Sequence, residues 1–157
     1  MEEYEYSFVA KDIAPYIEFC ENNGYEKISV EKQNRVVYEN KNADNLIARI
    51  TTTILEDSQV VVFDCKSVDE ADGDLKVSKE SQEIIVTDEN RDGIMSMLDT
   101  LGFYVVANNT RTRYEYKKDV VKFEIDDYIE PNMKVIAIEG DRESVNAVYA
   151  IVRSLEN

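Results

Sequence analysis

The sequence has no histidine, only two cysteines and two prolines, and no long apolar run among its 157 residues. Without histidine there is no Ser-His-Asp arrangement and no Cys/His dyad, and a zinc site has no imidazole to draw on. Acid–base work would fall to carboxylates, lysine or tyrosine. Cys20 and Cys65 stand apart in apolar surroundings and read as small buried residues, not as a disulfide or a metal pair. No stretch approaches the roughly 18 apolar residues that span a bilayer, and the opening Met1-Glu2-Glu3-Tyr4-Glu5 has neither the basic nor the apolar region of an export signal. The expectation is a cytoplasmic protein with no membrane partner. Basic residues are also scarce, 18 Lys and Arg against 33 Asp and Glu, for a formal charge of −15. Such a field repels polyphosphate backbones, so no nucleic-acid partner is expected, although a small basic pocket remains compatible with it.

What is present is a chain with 43% apolar residues, long enough to bury a core as one α+β domain over residues 1–157. Glu3-Tyr4-Glu5-Tyr6-Ser7-Phe8 alternates polar and aromatic residues, which predicts a strand with Glu3, Glu5 and Ser7 on one face. Asp12 is expected to cap a helix with Ile13, Tyr16, Ile17 and Cys20 on one stripe, Pro15 in its first turn and Gly24 at its end. Further strands are expected at 28–33, 36–39, 46–54 and 59–66, an acidic loop at 69–74, and a strand at 82–87. A helix at 90–101 would place Ile94, Met97, Leu98 and Leu101 on one side. Strands at 110–116, 120–126 and 133–139 and a helix at 142–155, with Val145, Val148, Tyr149 and Val152 inward, complete the order. A constant offset of 78 residues pairs Glu5 with Glu83, Gly24 with Gly102, Arg35 with Arg113 and Tyr38 with Tyr116, which predicts two pseudo-repeated halves.

Several of these strands carry charge on one face: Glu3/Glu5, Arg49/Thr51, Asp64/Lys66, Arg111/Arg113/Glu115 and Lys122/Glu124/Asp126. Two architectures accommodate this. One is an open antiparallel sheet with its charged face in water, where cross-strand pairs are worth a few tenths of a kcal/mol each. The other is a closed barrel around a wet tunnel, with cations clamping an anion and glutamates holding a divalent metal beside it.

The order and spacing of these residues resemble the CYTH superfamily of triphosphate tunnel metalloenzymes, which includes class IV adenylyl cyclases, thiamine triphosphatases and bacterial tripolyphosphatases. The resemblance runs from Glu3 to Glu139. Glu3-Tyr4-Glu5-Tyr6-Ser7 is similar to the family's ExExK strand without the lysine. Gln33-Asn34-Arg35-Val36-Val37-Tyr38-Glu39 looks like its QxDxY-aromatic-D segment, with Arg35 in place of the first aspartate. Arg49-Ile50-Thr51 resembles its RxR strand without the second arginine, and Asp64-Cys65-Lys66 its TxK strand. Lys79 and Glu83 resemble the basic and acidic pair that follows. Arg111-Thr112-Arg113-Tyr114-Glu115-Tyr116 fits its [KR]xRxxY strand. Asp127 stands at its DxV turn, and Ile138-Glu139-Gly140 resembles the end of ExEG, with Ala137 replacing the first glutamate.

The resemblance implies an antiparallel eight-stranded β-barrel with flanking helices. It also implies phosphate contacts from Arg49, Lys66, Lys79, Arg111 and Arg113, and Mg²⁺ or Mn²⁺ held by Glu3, Glu5, Glu83 and Glu139. The implied ligand is a triphosphate-containing small molecule, with hydrolysis ahead of cyclisation because hydrolysis demands fewer specific contacts, and no base-reading pocket is visible. The losses at Ser7, Thr51 and Ala137 point the other way, toward a non-catalytic module of the same fold that binds an anion or a protein partner. A homodimer is compatible with either.

Overall fold

The computed structural model describes residues 2–156. Nine strands and three helices follow in the order β1 (Glu2–Ala10), α1 (Ala14–Asn22), β2 (Glu26–Asn40), β3 (Ala43–Ile54), β4 (Gln59–Asp72), β5 (Leu75–Glu80), β6 (Ile84–Ile85), α2 (Arg91–Thr100), β7 (Phe103–Lys118), β8 (Val121–Tyr128), β9 (Met133–Gly140) and α3 (Arg142–Val152). All pairings are antiparallel. The strands run β3-β2-β7-β8-β9-β1-β5-β4, and β4 returns to β3, so eight of them close into a barrel. The two-residue β6 adds to the outside edge of β4 at Val62 and Phe63. The open-sheet alternative is thereby set aside.

The apolar faces of this barrel point outward, against the helices. One cluster joins Phe123, Ile125, Ile136 and Ile138 of β8 and β9 to Tyr16 and Cys20 of α1 and Val145 and Val152 of α3. A second joins Tyr38, Ala48 and Phe103 to Ile94 and Leu98 of α2. Aromatic packing supports the first cluster, with the rings of Tyr6 and Tyr149 stacked at 3.9 Å and Tyr25 edge-on to Phe123 at 5.2 Å. Because side chains alternate along a strand, burying one face under helices sends the other into the barrel. Most of the residues on that inner face are charged.

The two halves are related through the β2–β7 ladder. Gln33 lies opposite Arg111, and every pair from Ser29↔Glu115 to Val37↔Ala107 keeps the same register. The ladder is interrupted twice, where Ile28 and Val106 bulge out, and these two residues are themselves related by the offset that relates Gln33 to Arg111. Gly24 and Gly102 also correspond: each ends a helix region at positive φ, 79° and 89°, where glycine carries no steric penalty. A two-fold pseudo-axis thus passes between Gln33 and Arg111.

Several expected boundaries move. The strands expected at 28–33 and 36–39 are one, β2; the polar Asn34-Arg35 step does not break it, because Asn34 is satisfied on the outer side by Asn108 at 2.9 Å and Thr110 at 3.3 Å. The acidic loop expected at 69–74 belongs to a hairpin, in which β4 continues to Asp72, turns at Gly73 and returns as the unanticipated β5. The strand expected at 82–87 contracts to β6. In α1 the capping residue is Ile13, while Asp12 accepts from the Ala14 amide at 3.3 Å. On α2, Met97 and Leu101 are 54% and 60% exposed, so only Ile94 and Leu98 of the expected stripe are buried. No helix among the described residues is long and apolar enough to cross a membrane.

Candidate functional site

The inner faces of the barrel strands enclose a cavity of about 510 Å³. Strand alternation delivers its walls: Glu31, Gln33 and Arg35 from β2, Arg49, Thr51 and Thr53 from β3, Val60, Val62 and Asp64 from β4, Arg113 and Glu115 from β7, Lys122 and Glu124 from β8 and Glu139 from β9. Glu80 closes one side from β5.

Most cations here are already matched. Arg49 donates from Nε to Asp64 Oδ1 at 2.9 Å and from Nη2 to Oδ2 at 2.5 Å, with Glu80 at 3.4 Å. Arg113 makes a bidentate contact with Asp126 at 2.8 and 2.9 Å and reaches Glu124 at 2.6 Å. Lys66 is bound by Glu5 at 3.1 Å, and Lys122 lies within 3.7 Å of Glu124 and 3.5 Å of Glu139. Arg111, 2% exposed, donates from Nε and Nη2 to Gln33 Oε1, from Nη1 to the Tyr128 hydroxyl at 3.2 Å, and lies 3.5 Å from Asp126. Burial works against the charge on Arg113, yet Glu124 and Asp126 raise its pKa well above the usual guanidinium range.

Arg35 is different. Its Nε donates to Thr51 Oγ1 at 2.9 Å, and among the described residues no carboxylate lies within ion-pair distance. Burial, followed by repulsion from Arg111, Arg113 and Arg49, lowers its pKa to about 9.

Across the cavity three carboxyl groups meet. Glu139, 6% exposed, lies within hydrogen-bonding reach of Glu124 and Glu3, and these hydrogen bonds favour its protonated form. Burial first, and then the charge of Glu124 and these hydrogen bonds, push the Glu139 carboxyl up to about 11. Glu124 moves the other way: burial opposes its charge, but Arg113, the hydrogen bond to Glu139 and Lys122 hold it well below the usual carboxylate range. The oxygen donors suit a hard divalent ion in kind. No group of three or more among the described residues stands ready to hold a metal ion.

Of the residues anticipated from sequence, Arg49, Arg113, Glu83 and Glu139 line the cavity, and Glu3 joins Glu139. Arg111 and Lys66 are on the inner face but engaged as described. Glu5 is turned to Lys66. Lys79 is on the outer face and exposed; its neighbours Ser78 and Glu80 occupy the inner one, and Glu80 reaches both Arg49 and Lys66. Sequence reasoning passed over Arg35, Lys122, Glu124 and Asp126 as site residues, although the Lys122-Glu124-Asp126 alternation was itself a signal.

No family model matches the chain, and no curated protein matches it in sequence. Its fold does have relatives. The PH1819 protein of Pyrococcus horikoshii superposes with a TM-score of 0.64 at 24% identity, covering 98% of this chain and 90% of its own. The PH1012 protein of the same organism gives 0.72 at 19%, covering 98% and 89%. HpAC1 from Hippeastrum, an adenylyl cyclase candidate described as having a dominant triphosphatase activity, gives 0.65 at 12%, covering 94% and 84%. At such identities the likeness is one of fold. The chain has a CYTH-like fold, an eight-stranded antiparallel tunnel barrel with three flanking helices.

Proposed function

We propose that the tunnel binds a triphosphate, inorganic or organic, together with a divalent cation, and hydrolyses it. The observation that carries this reading is the cluster of Arg35, Arg49, Arg111 and Arg113 inside a closed barrel, facing the Glu3, Glu124 and Glu139 carboxyl groups. Guanidinium groups shielded from bulk water hold phosphate oxygens more strongly than exposed ones. Glu3, Glu124 and Glu139, with Glu5 and Glu83 nearby, would hold Mg²⁺ or Mn²⁺ in place of the proton on Glu139. A bound divalent ion would supply charge neutralisation at the phosphoryl group and orientation of the attacking water. The chain's own contribution is to fix the phosphate chain, exclude bulk water, and offer a carboxylate as proton acceptor. The triphosphatase activity described for the Hippeastrum protein is consistent with this chemistry on this fold.

A second reading is favoured by the ion pairs. Arg49, Arg113, Lys66 and Lys122 each have carboxylate partners, and Ser7, Thr51 and Ala137 carry no charge, so the tunnel can persist as an internally neutralised, non-catalytic anion- or protein-binding module. Phosphate release from tripolyphosphate, thiamine triphosphate and ATP, each with Mg²⁺ or Mn²⁺, separates the two. Turnover abolished by Arg113→Ala establishes the hydrolase; its absence with all three leaves the module.

A further inference from the structure

Arg35 is the cavity cation with no carboxylate partner among the described residues, and three features of its position explain what it is for. First, the ladder places Arg35 directly opposite Thr51, and its Nε is tied to the Thr51 hydroxyl at 2.9 Å. That hydrogen bond uses one edge of the guanidinium, and among the described residues Nη1 and Nη2 make no hydrogen bond. Second, the pseudo-axis gives an internal control. Arg113 is the counterpart of Arg35 in the other half, and it lies opposite Asp126, which neutralises it bidentately. The equivalent position opposite Arg35 holds a neutral hydroxyl. Two symmetry-related arginines therefore differ in one respect, the presence of a counter-charge. Third, Arg49, Arg111 and Arg113 are near enough to repel Arg35, so the fold tolerates a further cation where it is least welcome in the absence of an anion.

Thr51 is also where the resemblance noted from sequence lacks an arginine. Arg35 enters from the neighbouring strand at the same level of the barrel. From these observations we infer that Arg35 is the principal anion seat of this tunnel, supplying from β2 the guanidinium that β3 lacks at Thr51, with the Thr51 hydroxyl orienting it toward a phosphoryl group. This deepens the proposed phosphate-binding function and rests on it. Its consequence for ligand choice is specific. A phosphoryl group seated on Arg35 lies level with Val62, the ladder partner of Thr51, and the inner wall continues through Val60 to Leu55. At about 3.3 Å per residue this apolar strip extends roughly 10 Å from the seat. A phosphate ester can lay an apolar organic group along it, whereas inorganic tripolyphosphate would leave it unused.

The test is ligand-dependent thermal unfolding and calorimetric titration with tripolyphosphate and thiamine triphosphate, each with Mg²⁺, for wild type, Arg35→Gln, and the double variant Arg35→Gln/Thr51→Arg. Loss of a charge-assisted guanidinium–phosphate contact is expected to weaken binding about 10- to 100-fold in Arg35→Gln. The double variant, which moves the charge back to β3, should recover at least part of it. Because Arg35 has no counter-charge, the ligand-free Arg35→Gln protein is expected to unfold at or above the wild-type temperature, which excludes misfolding as the cause of lost binding. Wild-type binding that Arg35→Gln leaves unchanged overturns the role of Arg35 and spares the proposed function. No binding of either ligand by wild type overturns the proposed function and, with it, this inference. Equal affinity for both ligands rules out the ester preference alone.

Discussion

Gln33 and Arg111 face each other across the β2–β7 ladder, 78 residues apart in sequence, with Arg111 Nε and Nη2 converging on Gln33 Oε1 at 3.2 and 2.9 Å. They are counterparts in the two halves, and the pseudo-axis runs between them. Arg111 thereby belongs to the frame of the tunnel more than to its open surface. Replacing Gln33 by Ala leaves two buried guanidinium donors without their acceptor, and a loss of ~1.5–3 kcal/mol in stability is expected by urea unfolding.

The Arg49–Asp64 pair offers a sharper contrast. Asp64→Asn strands Arg49 with Glu80 alone, at 3.4 Å, and should destabilise by ~3–5 kcal/mol as a buried charge loses its partner. Replacing both residues together, Arg49→Met with Asp64→Leu, should cost far less, since a well-packed apolar pair avoids the desolvation of two ions. Comparable losses in the single and double variants would show that the pair contributes net stability.

The pH dependence follows from Glu139. Its carboxyl is raised in the folded protein to about 11 and titrates in the ordinary range when unfolded, so the folded state binds the extra proton between those values. The associated stability is complete below the unfolded pKa and is lost as pH rises toward the folded one, with a slope of at most ~1.4 kcal/mol per pH unit. Glu139→Gln carries its hydrogen permanently and should flatten the fall in melting temperature between pH 6 and 9. A variant curve parallel to wild type would show that another group holds the proton.

At the end of β9, a Cβ added to Gly140 would lie 2.5 Å from the Val120 carbonyl oxygen and 3.4 Å from a Val145 methyl carbon. Backbone and a fully buried valine cannot both give way, so Gly140→Ala should cost ~1–3 kcal/mol or more. The glycine in Ile138-Glu139-Gly140 is therefore required by the close approach of β9 to the turn before β8. Thermal denaturation is sufficient to measure it.

Tyr116 tests the outer layer. Its ring is 1% exposed and its hydroxyl has no hydrogen-bond partner among the described residues. Tyr116→Phe removes an unpaired buried polar atom and should be neutral or stabilising by ~1 kcal/mol. A destabilisation would point to a partner for the hydroxyl that the protein alone does not provide.

Alternation was the legible part of the sequence. Glu3/Glu5, Arg111/Arg113 and Lys122/Glu124/Asp126 announced one charged face per strand because period two sets these residues on the same side, although it leaves open whether that face meets water or a tunnel. The offset that pairs Gly24 with Gly102 announced the pseudo-axis for a similar reason, since only a glycine accepts those turns readily. Closure was not legible, because β3 meets β4 through a register that no local pattern encodes. Lys79 was misplaced by one residue of phase: β5 was not anticipated, and in a strand a one-residue shift exchanges the two faces. Arg35 was counted as a departure because sequence alone does not reveal that its neighbour across the ladder is Thr51. Glu124 is legible as a cross-strand partner of Arg113, whereas Asp64 for Arg49 and Asp126 for Arg113 are not, for the same reason.

The long β2–β7 ladder also governs how the chain reaches its native state. Its pairs join residues from 63 apart, Asn40 with Phe103, to 91 apart, Glu26 with Lys117. Loops of that length must close before the ladder contributes any stabilisation, which places the protein among slow, milliseconds-to-seconds folders. During synthesis the first half emerges with the inner face of β2 exposed and Arg35 still hydrated. Because β9 is the strand that pairs with β1, the barrel closes only after β9 has left the ribosome, and the charges of the tunnel are desolvated together in that late step.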